Sequence, residues 1–186
     1  LGCLAPKPEN MSHEDAASIS YGGILAVHYL RKMNIQKGHK VLIYGASGAI
    51  GTMAVQIVKS SGAEVTGVCS SSNSDLVISL GAEKVIDYTQ EDAPNKLEVY
   101  DYILDAAGKN KSSKLKTEAK KALSDKGKYV SVDDGMLELR SEYFIQLNEF
   151  AEAGHIKAVT DKTFPLEKIV EAHRYVDTGH KKGSVV

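Results

Sequence analysis

One short segment, residues 41–51 (VLIYGASGAIG), constrains the fold more than any other part of the chain. Its β-branched start predicts a buried strand, and residues 52–60 carry apolar side chains at helical spacing. Between them lies a glycine-rich turn whose free N–H groups and positive helix end suit a phosphate without any lysine. A turn selected for packing alone is the alternative, and the strand before it and the helix after it disfavour that alternative. The segment therefore predicts a strand–turn–helix unit that binds a diphosphate.

The same alternation of strand and helix patterns continues over about 90 residues, which is typical of right-handed crossovers and a parallel sheet. We therefore expect an α/β fold, a doubly wound parallel sheet of the Rossmann type with helices on both faces. The predicted strands are 41–44, 64–68, 84–87, 100–105 and 128–132. The predicted helices are 16–33, 52–60, 75–80, 114–123, one that begins at 141 and ends before Gly154, and a last one that reaches about 177. Gly22 and Gly23 in the first helix predict close packing or a bend.

Composition excludes several classes of partner. The formal net charge is −1, from 23 Lys and Arg against 24 Asp and Glu, so neither nucleic acid nor an anionic membrane is expected to bind. We find no apolar run of about 20 residues. Two cysteines and no secretory leader predict a reducing compartment and a cytoplasmic location. The six histidines lack metal-ligand spacing, so we expect no metal in this chain. Lysines between Lys109 and Lys128 are interpreted as a solvated helix face.

The residues after the second predicted strand bear on cofactor choice. A site that prefers NAD has an acidic residue about 20 positions beyond the glycines. Here Val68 is followed by Cys69, three serines and Asn73, and no carboxylate occurs before Asp75. This pattern favours NADP over NAD, although no Arg or Lys neutralises the extra phosphate. A serine and asparagine cluster that caps the next helix would explain the same residues.

Several separated motifs resemble the medium-chain dehydrogenase/reductase superfamily, in its zinc-independent quinone oxidoreductase (zeta-crystallin-like) branch. They are GASGAIGTMAVQIVKSSGAEVTGVCSSSN, LGAEKVIDYTQED, YDYILDAAG and GKYVSVD, with KPENMSHEDAAS before them and FPLEKIVEAHRYVDTGHKKGSVV after them. The resemblance implies the strand order 3-2-1-4-5, with the cofactor across the carboxyl edge of the sheet. It also implies that a GroES-like catalytic domain is missing upstream. The expected division is then a linker (1–11), the dinucleotide-binding domain (12–155) and a C-terminal segment that returns to the catalytic domain (156–186).

The candidate cofactor-binding residues come from the turn and from this resemblance. The turn contributes the residues around the diphosphate, the ends of the second and third strands those that the resemblance places around the adenosine phosphate, and the loops after the fourth and fifth strands those beside the nicotinamide. They are Gly45, Ala46, Ser47, Gly48, Ala49, Ile50 and Gly51; Ser70, Ser71, Asn73 and Tyr88; and Ala106, Ala107, Gly108, Ser131 and Val132.

The chain also departs from the family pattern. Ser72 and Asn73 stand where relatives often carry Lys or Arg, and residues 23–26 read Gly-Ile-Leu-Ala where many members read Gly-Leu-Thr-Ala. Zinc-dependent relatives place a cysteine ligand near Ser20 and Tyr21, where this chain has none. The stretch between Asp133 and Ser141 is short and lacks a sixth strand, which commonly helps to form the dimer, so a homodimer is only a possibility.

The function expected from these residues is NADPH-dependent transfer of hydride to a small quinone, enone or aldehyde. No catalytic acid or base is identified, and Asp105 is interpreted as a loop anchor rather than a general base. One alternative is a zinc-type alcohol dehydrogenase whose metal ligands lie in the missing domain. The other is a non-catalytic NADP-binding module.

Overall fold

Five parallel strands form the central sheet of the protein. The computed structural model describes residues 4–109, 113–135 and 139–186. The strands are β1 (Lys40–Tyr44), β2 (Glu64–Cys69), β3 (Lys84–Asp87), β4 (Tyr100–Asp105) and β5 (Leu123–Ser131). Their order is β3-β2-β1-β4-β5, and every neighbouring pair is parallel. Both the predicted fold class and the strand order implied by the resemblance are confirmed.

Helices cover both faces of this sheet. They are α1 (His13–Leu30), α2 (Ala49–Ser60), α3 (Ser74–Ser79), α4 (Lys114–Lys121) and α5 (Ser141–Glu152), while a further helix, α6 (Ile169–Asp177), belongs to the C-terminal segment. Successive side chains of β1 enter different cores, because neighbours on a strand point to opposite faces. Val41 and Ile43 pack with α1, α2, α3 and α5, whereas Leu42 and Tyr44 pack with α4. A parallel sheet covered on both sides is consistent with the apolar strands of this sequence.

Helix α1 lies against the start of α2 at a glycine. A Cβ atom added to Gly22 would lie only 2.2 Å from the carbonyl oxygen of Ala49, so no larger residue fits there without movement of the backbone. The close packing predicted from Gly22 and Gly23 is thus confirmed. The N-terminus of α1 is capped by Ser12, whose Oγ accepts a hydrogen bond from the amide of Asp15 at 3.0 Å. The contact at Gly22 fixes the end of α2 that faces the carboxyl edge of the sheet.

The structure corrects the predicted boundaries around the fifth strand. Helix α4 ends at Lys121 and β5 begins at Leu123, five residues before the predicted start, while Val132 lies beyond the strand. Residues 124–127 carry no apolar pattern because β5 is an edge strand with exposed side chains. Its pairing with β4 is also irregular between Tyr100 and Tyr102. A polar, irregular edge strand gives little signal in the sequence.

The end of the C-terminal segment reaches the carboxyl edge of the sheet. After α5, β6 (Thr160–Lys162) and β7 (Ser184–Val185) form a small parallel pair. The amide of Gly183 donates to the carbonyl of Ser47 at 2.9 Å, and Ser184 Oγ donates to the carbonyl of Ser18 at 2.7 Å. The C-terminal segment therefore crosses the glycine-rich turn. Within the described ranges, none of the helices combines the length and apolarity that crossing a bilayer requires.

Candidate functional site

The glycine turn, defined here as residues 45–51, joins β1 to α2 in a conformation that needs its glycines. Gly45 has φ of +81°, a left-handed value that favours glycine. The amides of Gly45 and Ala46 both donate to the carbonyl of Val68 at 3.0 Å, which ties the turn to the end of β2. A Cβ atom on Gly51 would lie 2.1 Å from the carbonyl oxygen of Gly45. Gly45 and Gly51 therefore shape the turn itself.

Gly48 differs from these glycines because the space in front of it is open. An added Cβ atom would meet only the carbonyl oxygen of Gly45, at an ordinary contact distance of 3.5 Å. Gly48 is the N-cap of α2 in an extended conformation, and no side chain caps this helix. The first amides of an α-helix lack partners within the helix, and its N-terminal end carries partial positive charge. This end of α2 therefore suits an anion.

The turn forms the floor of a cleft of about 610 Å³ at the carboxyl edge of the sheet. Ten of the sixteen predicted cofactor-binding residues line this cleft. They are Gly45, Ser47, Gly48, Ala49, Ile50, Ser70, Asn73, Tyr88, Ala106 and Ala107. The cleft lies at the carboxyl end of β1, from which the strand order extends in both directions, to β2 on one side and to β4 on the other. Ligands of doubly wound folds bind at such a switch point.

The other six predicted residues do not line the cleft. Ala46 is fully buried beneath the turn, and Ser71 is exposed beside the cleft. Val132 is held away because its amide donates to the carbonyl of Asp105, at 3.0 Å, and its own carbonyl accepts from Tyr29 Oη, at 2.7 Å. The remaining three are Gly51, which packs inside the turn, Gly108, which is buried, and Ser131, which lines a smaller cavity of about 350 Å³ behind the cleft.

Asn73 connects the two sides of the cleft beside the loop that follows β2. Its Nδ2 donates to Ser47 Oγ at 3.2 Å and to Ser70 Oγ at 3.3 Å, so it ties the glycine turn to the loop after β2. Ser70 and Asn73 occupy the N-cap positions of the short helix at 71–73 and of α3, yet neither side chain makes a capping hydrogen bond. The alternative that these residues serve as helix caps is therefore wrong for this pair.

The opposite side of the cleft is formed by the β4 loop, defined here as residues 106–108. Asp105, which is 2% exposed, precedes it. Oδ1 of Asp105 accepts from the amides of Ala107, at 3.1 Å, and Gly108, at 3.2 Å. These contacts support the interpretation of Asp105 as a loop anchor.

Lys116 contradicts the interpretation of the lysine run as a solvated face. The side chain of Lys116 is only 11% exposed, and its Nζ lies 2.7 Å from Oδ2 of Asp105. Lysines 114, 120 and 121 of the same helix are more exposed. The sequence does not reveal this burial, because Lys116 differs from its neighbours only in facing the end of β4.

Cys69 is a wall residue rather than a nucleophile. It is 2% exposed at the end of β2, and burial raises the pKa of its thiol to about 11. A thiol with such a pKa stays protonated near neutral pH, and only the thiolate is strongly nucleophilic.

Several residues that line the cleft were missed by the sequence interpretation. Tyr21, Tyr44 and Ser113 come from α1, β1 and the residue before α4, and residues 179–182 come from the C-terminal segment. The last group brings His180, Lys181 and Lys182 to a cleft for which the sequence predicted no neutralising cation. Only the small basic run before Gly183 could have suggested them, and nothing in the sequence indicates where it folds.

The described part of the chain contains no group of three or more His, Cys, Asp or Glu side chains arranged to hold a metal ion.

The family described as zinc-binding dehydrogenase matches residues 49–156, and a second family of the same description matches residues 135–186. Among curated relatives, the NAD(P)H oxidoreductase RTN4IP1, mitochondrial, of Mus musculus is 32% identical over 98% of this chain and 57% of its own length. The NADPH-dependent alkenal/one oxidoreductase, chloroplastic, of Arabidopsis thaliana is 28% identical over 98% of this chain and 49% of its own length. This chain thus spans about half the length of the curated relatives that it matches.

A solved structure named as an NAD-dependent alcohol dehydrogenase has a TM-score of 0.84 and 26% identity, over 98% of this chain and 60% of that one. Structural similarity of this extent supports the Rossmann architecture.

The predicted cytoplasmic location is wrong. RTN4IP1 relatives from mouse, cattle, human and zebrafish are all named mitochondrial. The prediction rested on few cysteines and on the lack of a recognisable secretory leader, and both observations only separate reducing from oxidising compartments. They cannot distinguish one reducing compartment from another.

Proposed function

The chain belongs to the zinc-binding dehydrogenase family, in the quinone oxidoreductase-like part of the medium-chain dehydrogenase/reductase superfamily, and we propose that it binds the cofactor of an NADPH-dependent oxidoreductase. The observation that carries this proposal is the open, uncapped N-terminus of α2 at Gly48. The diphosphate lies against the first amides of α2, where no side chain competes for them. The missing Cβ of Gly48 lets the phosphate oxygens approach the backbone.

The adenosine end of the cofactor lies beside the loop after β2. Ser70, Ser72 and Asn73 line this end of the cleft and offer hydroxyl and amide donors without a carboxylate. Lys181 and Lys182 also line the cleft and supply positive charge. A 2′-phosphate is therefore accommodated better than the paired ribose hydroxyls of NADH, which a carboxylate would bind. The name of the Arabidopsis relative also specifies NADPH.

The other end of the cofactor lies against the β4 loop. Ala106 and Ala107 give this part of the cleft a small, apolar surface. A bound nicotinamide supplies the hydride, while the protein provides orientation and a dry environment. The acceptor is a small quinone, enone or aldehyde, in keeping with the names of the alkenal/one reductase relative and of a quinone oxidoreductase relative. We assign no catalytic acid or base to the described residues.

Alcohol oxidation is the second candidate function. The family's description and the similar structure named as an NAD-dependent alcohol dehydrogenase both favour it. An assay of NADPH oxidation with quinones and enones, run beside an assay of NAD reduction with alcohols and a metal analysis, distinguishes the two. Turnover with alcohols together with bound zinc would replace the reductase proposal.

A non-catalytic NADP-binding module remains as a third alternative. Such a module would bind NADPH at the same place and show no turnover with any acceptor of the panel. Because this chain spans about half of its relatives, the assay is made on the longest form of the protein.

Replacement of Gly48 by Val tests the binding site itself. The extended backbone of Gly48, with φ of −81° and ψ of 176°, accepts a β-branched residue, and the added Cβ has room, so the protein should fold normally. The added side chain occupies the space of the diphosphate, and we expect NADPH affinity to fall at least about 100-fold, which corresponds to roughly 3 kcal/mol. Titration by calorimetry, with thermal unfolding alongside, measures both properties.

Ser61→Val is the matched control, because it places the same side chain at the exposed C-terminal end of the same helix. It should leave NADPH affinity unchanged. If Gly48→Val binds NADPH as the unmodified protein does, the diphosphate lies elsewhere and the proposal is wrong.

A further inference from the structure

A buried ion pair lies directly behind the β4 loop. Nζ of Lys116 and Oδ2 of Asp105 are 2.7 Å apart, and the two side chains are only 11% and 3% exposed. Transfer of both charges out of water is costly, and an apolar pair of similar size often stabilises a fold as well or better. A buried pair of this kind therefore calls for an explanation beyond the attachment of α4 to the sheet.

The remaining polar contacts of this pair end mostly on the β4 loop. Asp105 Oδ1 accepts from the amides of Ala107 and Gly108, at 3.1 and 3.2 Å, and Lys116 Nζ donates to the carbonyl of Gly108 at 2.7 Å. The carboxylate thus holds the amides of the loop, and the ammonium holds its last carbonyl. Gly108 has φ of +69°, so the loop turns sharply between these two attachments.

A third side chain fixes the carboxylate. Tyr129 Oη on β5 donates to Asp105 Oδ2 at 2.8 Å. Burial, together with the hydrogen bond to Asp105 and its charge, raises the pKa of the Tyr129 phenol, so this group remains a donor at neutral pH. Both oxygens of Asp105 are thereby occupied, which defines its orientation and that of the amides it holds.

The loop held in this way is a surface of the cleft, whereas Lys116 is not. Ala106 and Ala107 line the cleft; Lys116 lies behind them, beside the smaller cavity. Nζ of Lys116 also lies 5.2 Å from the ring centre of Tyr44, another residue of the cleft. The β4 loop packs closely against the glycine turn, because a Cβ atom added to Gly45 would lie only 3.1 Å from Cβ of Ala107. A small shift of the loop toward the turn or away from it therefore changes the width of the cleft.

We propose that Lys116 is a positioning residue: through its ion pair with Asp105 and its bond to Gly108, it fixes the β4 loop as the surface against which the nicotinamide half of the cofactor lies. This inference rests on the proposed function. Lys116 does not touch the cofactor, and its effect is confined to the half of the cofactor that the β4 loop contacts. The adenosine half, beside the loop after β2, is held independently of it.

The test compares two ligands and two variants. Lys116→Met keeps the length of the side chain and removes its charge. We expect it to weaken NADPH binding about tenfold, the equivalent of one lost hydrogen bond, and to leave the affinity for adenosine 2′,5′-bisphosphate within about twofold. Lys116→Arg, which keeps the charge and donors, should recover most of the NADPH affinity. Lys121→Met is the matched control, because the Lys121 side chain is exposed on the same helix with its Nζ 2.9 Å from Oε1 of Glu118, and it should change neither affinity.

Amide hydrogen exchange supplies a readout that needs no cofactor. In Lys116→Met the amides of Ala107 and Gly108 should exchange at least about tenfold faster, while those of the buried part of α2 keep their rates. If the variant fails to fold, Lys116→Gln replaces it; because Gln removes the charge but can still donate to the Gly108 carbonyl, both effects should keep their direction and be smaller than in Lys116→Met, with Lys116→Arg again recovering the unmodified values.

The possible results separate the two proposals. Equal weakening of both ligands, or unchanged NADPH affinity together with unchanged exchange at Ala107 and Gly108, would overturn the role of Lys116. An unmodified protein that binds neither ligand would instead refute the proposed function, and this inference with it.

Discussion

The two sides of the cleft are built by different means. On one side, the glycine turn presents main-chain amides whose geometry is set by seven consecutive residues and by hydrogen bonds to Val68. On the other, the β4 loop is held by side chains from three separate elements: Asp105 of β4, Lys116 of α4 and Tyr129 of β5. The glycine turn needs positions that carry no side chain, whereas the β4 loop needs buried charged side chains. Substitutions should therefore act on them in different ways.

The largest effect is expected from Gly51→Ala in the turn. The added Cβ would lie 2.1 Å from the carbonyl oxygen of Gly45, a backbone atom that cannot move alone, so the turn must be rebuilt. We expect a loss of about 3 kcal/mol or more in the free energy of unfolding, measured by urea denaturation. Gly48→Ala, in the same turn but with a free Cβ position, should change stability by less than about 0.5 kcal/mol. Similar losses of stability in both variants would contradict the different roles given to Gly51, which packs inside the turn, and Gly48, whose Cβ position is open.

A smaller effect is expected from Tyr129→Phe on the other side. This variant removes one donor to the buried carboxylate of Asp105 while its other partners remain. Loss of a hydrogen bond to a charged group predicts a decrease of about 2 kcal/mol in the free energy of unfolding. Tyr102→Phe removes the hydroxyl of a half-buried tyrosine on β4 and should cost less than about 0.5 kcal/mol.

The difference in unfolding free energy between the unmodified protein and Tyr129→Phe should depend on pH. Because the pKa of Tyr129 is raised in the folded protein, its contribution to stability is fully present below the ordinary tyrosine pKa of about 10 and is lost as the pH rises above it. The difference in unfolding free energy between the unmodified protein and Tyr129→Phe should therefore shrink between about pH 10 and pH 11. A difference that stays constant, or grows, over that range would contradict the role given to the Tyr129 hydroxyl.

This contrast also explains what the sequence could predict. The glycine turn was recognisable because strand, turn and helix are contiguous, so local patterns carry the whole unit. Strand order followed from the family resemblance and was confirmed. By contrast, the pairing of Lys116 with Asp105 depends on where α4 crosses the sheet, and a lysine in a basic helix has no local signal of burial. The polar residues 124–127 hid most of β5 for a related reason, since an exposed edge strand needs no apolar pattern.

The smallest effect is expected from Lys182→Ala in the C-terminal segment, which adds side chains to the cleft without forming either of its sides. Lys182 is exposed and lines the cleft, and it acts on a bound phosphate mainly through its charge. At low salt, NADPH affinity should fall about three- to fivefold, and the effect should fade when added salt shortens the screening length. The affinity for NADH, which has no 2′-phosphate, should change less. Lys126→Ala removes an equal charge from the exposed part of β5 and serves as the control. Equal losses of NADPH affinity in the two variants would assign the effect to net charge alone. A loss confined to Lys182→Ala would show that the C-terminal segment supplies the glycine turn with positive charge.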